Sequence, residues 1–252
     1  MPIINRIGTR FLKSKPPPST GLITNGLFVH LDASNASSYP GSGTTWTDLT
    51  GNGNTGTLTN GPTYNSAAGG CIVLDGTNDF INLVSNASLC AKTSAPITLS
   101  MWINISTLKS CGIFGKLTNS FGYDGYIVGM SATGVPNSTT NGTGVDKQLA
   151  GSSSAFSINT WYFVTFITQI TSTASSTKFY VNTTLSYSGA HGNDSYNESN
   201  ALRLGMGYYE TSPATYATNM NGRIGAFYFY TRELSLSEIT QNFNATRTRY
   251  SV

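Results

Sequence analysis

Residues 70–83 read Gly-Cys-Ile-Val-Leu-Asp-Gly-Thr-Asn-Asp-Phe-Ile-Asn-Leu, two short apolar runs on either side of an Asp-Gly turn. Cys71, Val73 and Phe80 to Leu83 are strand formers, whereas Asp75, Gly76, Thr77, Asn78 and Asp79 carry turn chemistry. The stretch is expected to form a tight strand pair with two carboxylates at its tip. Near the other end, Asn221 to Tyr230, Asn-Gly-Arg-Ile-Gly-Ala-Phe-Tyr-Phe-Tyr, reads as a turn followed by a strand. Ser235-Leu236-Ser237-Glu238 then forms a capping box, and Ile239 and Phe243 share one face of the short helix it starts.

More sheet is expected around these landmarks. Leu27 to Leu31 is a first strand, closed by Asp32-Ala33-Ser34-Asn35, and the polar stretch after it is a folded loop pinned by Trp46. Ile97 to Ile103 alternates apolar and polar residues, the pattern of a half-buried strand. Gly112 to Lys116, Tyr123 to Met130, Trp161 to Ile167, Lys178 to Val181 and Leu202 to Gly205 continue the series between Ser/Thr/Gly/Asn loops. Regular short strands with almost no helix indicate an all-β antiparallel sandwich, with Phe28, Val73, Trp102, Trp161 and Phe227 expected in its core.

Charged residues make up 10% of the 252, well below the usual quarter, so solubility rests on Asn, Ser, Thr and Gly. Arg6, Arg10, Lys13 and Lys15 precede the first acid, Asp32, and residues 32–252 hold ten bases against eleven acids. A nearly neutral body lacks the clustered basic patch of a nucleic-acid surface. Residues 1–20 are expected to be a separate arm: Ile3, Ile4, Ile7 and Phe11 recur at helical spacing, with Arg6 and Arg10 on another face, before Pro16-Pro17-Pro18. So short an amphipathic stripe is marginal alone, which points to anchoring on a partner. Residues 21–252 form the domain. No apolar run approaches the ~18 residues of a membrane span, and Arg6 and Arg10 interrupt any secretory h-region.

Cys71, Cys90 and Cys111 are an odd number without C-x-x-C spacing, so neither a zinc site nor a disulfide framework is indicated. His30, in the first strand, and His191, in a polar loop, neighbour no nucleophile. Glycoside hydrolysis needs two carboxylates roughly 5–9.5 Å apart, and the eleven acids are thinly spread without a paired motif. No catalytic residue is assigned. Asp75, Asn78 and Asp79 have two readings, as Asx-turn caps and as oxygen ligands for calcium, the one cofactor the sequence suggests. Tyr208, Tyr209, Glu210 and Tyr216 lie in an expected rim loop with Asn219 and Asn221. Aromatic faces beside polar groups suit sugar rings, and they equally suit packing with the hydroxyls in water.

Taken together, Gly26 to Ala33, Tyr39 to Trp46, Asp48 to Asn54, Ile72 to Phe80, Ile97 to Ile103, Asn159 to Tyr162, Lys178 to Asn182 and Asn221 to Ile239 resemble the laminin-G-like, concanavalin-A-like jelly-roll superfamily. The variety found in structural proteins of tailed bacteriophages is the nearest. The resemblance spans about residues 21–250 and implies a two-sheet jelly roll whose concave face and rim loops often bind carbohydrate, sometimes with calcium. It points to a surface-exposed virion protein, a capsid decoration, head fibre or tail component, in a homo-oligomeric or symmetric assembly with other virion proteins, and the sparse, unpaired acids make a non-enzymatic one the expectation. The alternative is a stand-alone carbohydrate-binding lectin module of a cell-surface or secreted protein. Two departures stand out. Gly225 occupies a place where such domains commonly carry an acid, and Asn182-Thr183 replaces Asn-Gly, so a turn other than type I′ is expected there.

Overall fold

The computed structural model describes residues 21–84, 89, 95–117, 125–142, 145–150, 155–169, 175–191, 201–206 and 219–252. The expected arm, the Tyr208–Tyr216 loop and Cys90 lie outside them. Among the described residues, sixteen strands, numbered in chain order, form two antiparallel sheets of eight.

The first sheet contains β1 (Leu27–Asp32), β4 (Thr63–Asn65), β5 (Cys71–Asp75), β7 (Ile97–Ile105), β12 (Trp161–Gln169), β13 (Ser175–Val181), β14 (Thr184–His191) and β16 (Asn221–Tyr230). Its order is β14-β13-β12-β7-β16-β5-β4, with β1 also paired to β16. The second contains β2 (Thr45–Trp46), β3 (Gly56–Thr59), β6 (Phe80–Leu83), β8 (Cys111–Leu117), β9 (Gly125–Met130), β10 (Pro136–Gly142), β11 (Val145–Ala150) and β15 (Arg203–Leu204), ordered β11-β10-β9-β8-β15-β6-β3-β2. His191 thus ends a strand instead of lying in a loop. A polar stretch around it hid the strand.

Gly70 to Leu83 is not a hairpin. Its two strands belong to different sheets: β5 pairs with β4 and β16, whereas β6 pairs with β3 and β15. The reason is burial. Ile72 and Leu74 point inward from one sheet and Ile81 and Leu83 from the other, so the Asp-Gly turn must carry the chain across the sandwich for them to meet. Inward facing also corrects the expected core at Val73, which lies half-buried on the opposite side of β5, whereas half-buried Phe28 packs against the inter-sheet core and half-buried Trp161 against the layer beneath the C-terminal helix. Trp102 and Phe227 are fully buried.

The first sheet is covered on both faces, which explains why all nine residues of β7 are buried, although Ile97–Ile103 reads as half-buried. Leu99, Met101, Ile103 and Ile105 face the inter-sheet core. Trp102 faces a second apolar layer beneath the C-terminal helix α1 (Leu236–Thr246) and the 3-10 turn Arg247–Tyr250. Two of the polar residues between them are satisfied by hydrogen bonds: Ser100 Oγ lies 3.0 Å from Thr165 Oγ1, and Thr98 Oγ1 donates to the Arg232 carbonyl and accepts from the Leu234 N–H. Trp102 stacks on Tyr250, ring centroids 4.1 Å apart, and its Nε1 donates to Thr246 Oγ1.

Helix α1 begins as its sequence dictates. Ser235 Oγ accepts from the Glu238 N–H, and the Glu238 carboxylate accepts from the Ser235 N–H, satisfying donors that the first turn leaves free. Ile239 and Phe243 then face Trp102 and its neighbours. At the Asn182-Thr183 turn only Asn182 takes a positive φ (56°), its Oδ1 accepting from the Phe163 N–H, which spares the β-branched Thr183.

Strand β16 changes phase at Gly225. Ile224 faces the inter-sheet core, a bulge follows, and then Phe227 and Phe229 face it while Ala226, Tyr228 and Tyr230 face the helix layer. Before the bulge β16 pairs with β5, after it with β1.

Candidate binding site

The turn joining β5 to β6 brings Asp75, Asn78 and Asp79 together. Asp75 Oδ1 accepts from the Thr77 and Asn78 N–H groups, at 2.7 and 3.4 Å, and Asp79 Oδ2 accepts from the Asp75 N–H at 3.1 Å. The loop carbonyls are also engaged: Asn221 Nδ2 donates to Asp75 O, Lys109 Nζ to Gly76 O, Asn60 Nδ2 to Asn78 O and Asn219 Nδ2 to Asp79 O. The N–H bonds hold the Asp75 carboxyl below its ordinary pKa. Burial, aided by the neighbouring Asp75 charge, raises that of Asp79. Calcium wants six to eight convergent oxygens, and here Asp75 Oδ1, Asp79 Oδ2 and four loop carbonyls are turned to N–H groups, amides and an ammonium. The arrangement fits a self-satisfied turn and does not fit a calcium cage.

Asn219 departs from its expected role of sugar contact. It is only 7% exposed, bridges to Met206 and donates to the Asp79 carbonyl. It therefore ties Met206 and the residues leading into β16 to the β5–β6 turn. Tyr208, Tyr209, Glu210 and Tyr216 fall outside the described residues.

A second concave region lies where the chain returns from α1. Trp161, Asn159 and Thr160 line one side of a cleft of about 400 Å³, with Ala68, Tyr250 and Ser251 also on its wall. Asn159 adopts a positive φ of 58°, and its N–H donates to the Ile105 carbonyl, which fixes the loop before β12. Tyr250 packs against Trp161, centroids 4.7 Å apart. Behind it Arg249 donates from Nε to Ala68 O, from Nη1 to Asp32 Oδ1 and Ser34 Oγ, and from Nη2 to Gly70 O and Gly225 O. Those bonds use the whole guanidinium. Tyr250 lies directly over Gly225, so closely that a Cβ there would fall 2.3 Å from its hydroxyl oxygen. The acid expected of relatives at this position has no room.

Residues 75–240, about two thirds of the chain, match the sequence profile of the concanavalin A-like lectin/glucanases superfamily, laminin-G type 3. The chain belongs to that superfamily. Solved structures share the concanavalin A-like fold at low identity. Domain 4 of AbnA, an extracellular GH43 arabinanase from Geobacillus stearothermophilus solved with arabinotriose, superposes with a TM-score of 0.60 at 18% identity, covering 86% of this chain and 97% of that domain. The binding domain of botulinum neurotoxin DC, solved with SialylT, gives 0.64 at 17% identity over 88% of this chain and 51% of that one. Trypanosoma rangeli sialidase with sialic acid gives 0.62 at 13% identity over 90% and 34%. This chain therefore spans about half of the toxin binding domain and a third of the sialidase. No curated protein sequence matches it.

Within this concanavalin A-like domain Asp32, Asp48, Glu233 and Glu238 each have a structural task. Asp32 pairs with Arg249 at 2.6 Å, and Glu233 with Lys178 at 2.7 Å. Glu238 pairs with Arg232 at 2.6 Å while capping α1, which drives its carboxyl down to about 2. Buried Asp48 accepts from the His30, Thr50 and Asn54 N–H groups and so organises the loop before β3. Cys71 and Cys111 are buried free thiols, and burial pushes that of Cys111 up to about 12, well away from nucleophilic use. Sequence reading missed the Trp161–Tyr250 cleft because its walls come from three distant segments. The available signal was the Asn159-Thr160-Trp161 turn itself.

Proposed function

We propose that the chain is a non-enzymatic carbohydrate-binding jelly roll, displayed on a virion surface as a capsid decoration, head fibre or tail component and anchored by residues 1–20. The observation that carries the non-enzymatic reading is the engagement of Asp32, Asp48, Asp75, Asp79, Glu233 and Glu238 in turns, caps and ion pairs. A glycosidase needs a free pair of carboxylates facing substrate. Carbohydrate binding is supported by the superfamily and by the saccharides present in two of the similar structures, those of the arabinanase domain and the sialidase. Fold likeness alone does not fix function, so the site must be tested directly.

Virion display is supported by the arm: an apolar stripe with four bases and no acid, followed by Pro16 to Pro18, is suited to docking on an acidic surface with a stiff spacer. Two measurements test the proposal. A glycan array probed with the full chain should show saturable binding. In particles assembled with residues 21–252 alone, the domain should fold and fail to incorporate. Absence of glycan binding would overturn the first half. Normal incorporation of the truncated chain would overturn the anchoring role and favour a stand-alone lectin module.

A further inference from the structure

We infer that the cleft between Trp161 and the C-terminal turn is a binding site for an uncharged saccharide. This rests on the carbohydrate-binding reading and names residues for it other than Tyr208 to Tyr216. The argument begins with shape. A volume of about 400 Å³ falls within the roughly 300–1,000 Å³ usual for small-ligand sites, and the cleft is open to solvent along one side.

Its chemistry is that of a sugar ring's complement. Trp161 is half-buried, packed against Tyr250 and lining the cleft, so an indole surface is presented on a rigid support. Asn159 supplies an amide with both donors and an acceptor, and Ser251 and Thr160 supply hydroxyls. Among the described residues the side chains of Asn159, Trp161 and Ser251 have no hydrogen-bond partner. Asn159 is nonetheless held in place, because its N–H is bonded to Ile105 and its φ is fixed in the left-handed region. The backbone that carries Asn159 is therefore fixed before a ligand arrives, which removes that part of the ordering cost.

The selection for an uncharged ligand comes from Arg249. It is the one lining side chain with a charge, and it would ordinarily mark an anion site. Here all its donors point away into the fold, and Asp32 lies 2.6 Å from Nη1. A carboxylate or sulfate on the ligand would find the charge already neutralised and no guanidinium N–H left to accept from. Hydroxyl groups lose nothing by this, since they need only the amide and the alcohols.

The test uses the full chain and the fact that Trp46 and Trp102 are fully buried. Acrylamide quenching of tryptophan fluorescence therefore reads Trp161. The chain is titrated with uncharged arabino-, malto-, cello- and galacto-oligosaccharides and with acidic sialyllactose, in parallel with calorimetry. At least one uncharged oligosaccharide should shield Trp161 from acrylamide. Its affinity should fall about tenfold or more in Trp161→Ala and in Asn159→Gly, a change that keeps the positive φ accessible and guards against misfolding of the tryptophan variant. A saccharide that binds by calorimetry, leaves Trp161 quenching unchanged and binds Asn159→Gly equally well would move the site elsewhere while leaving the carbohydrate-binding function intact. Protection by sialyllactose alone would overturn the selection for uncharged ligands. Absence of protection by every member of the panel would overturn the site.

Discussion

Arg249 and Asp32, 217 residues apart in sequence, meet at 2.6 Å and close the end of the chain onto the end of its first strand. The same guanidinium bonds the carbonyls of Ala68, Gly70 and Gly225, so one side chain fastens β1, β16 and the connection into β5. Removing it strands several acceptors and a carboxylate that is only 18% exposed. Arg249→Met should cost about 2–4 kcal/mol, somewhat below a fully buried pair because both partners touch solvent. Arg249→Lys should recover little, since an ammonium cannot reach acceptors arranged around a planar fork. Urea unfolding of the two variants measures this, and a loss below 0.5 kcal/mol on the order of surface-pair values would refute it.

Gly225 is required by proximity. A methyl there would stand 2.3 Å from Tyr250 Oη and 2.6 Å from Cε1, within the ring that stacks on Trp102. Gly225→Ala should destabilise by about 1–3 kcal/mol, the usual range for overpacking, and should weaken the near-ultraviolet circular dichroism of Trp102. A stable variant with an unchanged aromatic spectrum would show that the C-terminal turn moves freely.

Acid should lower the stability of the domain in two stages. Burial is the largest influence on His30 and holds its pKa below 6.5, outweighing Asp32 and Asp48. The unfolded chain then binds more protons, so stability is complete above pH 6.5 and begins to fall beneath it. Glu238, hydrogen-bonded by Arg232, is depressed from 4.5 to about 2, so its contribution is present above 4.5 and is lost as pH falls towards 2. His30→Gln should flatten the upper stage and Glu238→Gln the lower one. Denaturant midpoints measured across pH 2–8 separate them, and identical slopes in all three proteins would contradict both assignments.

The β5–β6 turn should be independent of calcium. Asp79→Ala leaves the Asp75 N–H without its acceptor at a largely buried site and should cost about 1–2 kcal/mol. Thermal midpoints of the parent chain should coincide in calcium and in chelator. A calcium-dependent rise that vanishes in Asp79→Ala would mean that the loop rearranges around the ion.

Much of the sandwich was legible because local chemistry and global fold agree. The capping box at Ser235 and Glu238 needs no tertiary information, and the core positions of β7 follow directly from its alternation. What misled is instructive. Thr98 and Ser100 look like solvent-facing residues, yet α1 and the segment before it cover them, and only hydrogen bonds to Arg232, Leu234 and Thr165 make that burial tolerable. Asp75 and Asp79 signal a turn correctly, but turn chemistry does not say whether the strands beyond it pair or part. The polar strands β10 and β11 carry too few apolar residues to announce themselves. At the candidate site, Asn219 was chosen for its neighbours in sequence, whereas its neighbour in space is the Asp79 carbonyl. The Trp161 cleft depends on contacts across about ninety residues, beyond the reach of any local pattern.

The central claim is binding without turnover, and one measurement meets it directly. A glycan captured by the full chain is held with it at neutral pH, released by denaturation and sized by mass spectrometry. The account predicts recovery at its original length. Shortened products that disappear in a Glu210→Gln or Asp75→Asn variant would contradict it and reveal a catalytic carboxylate.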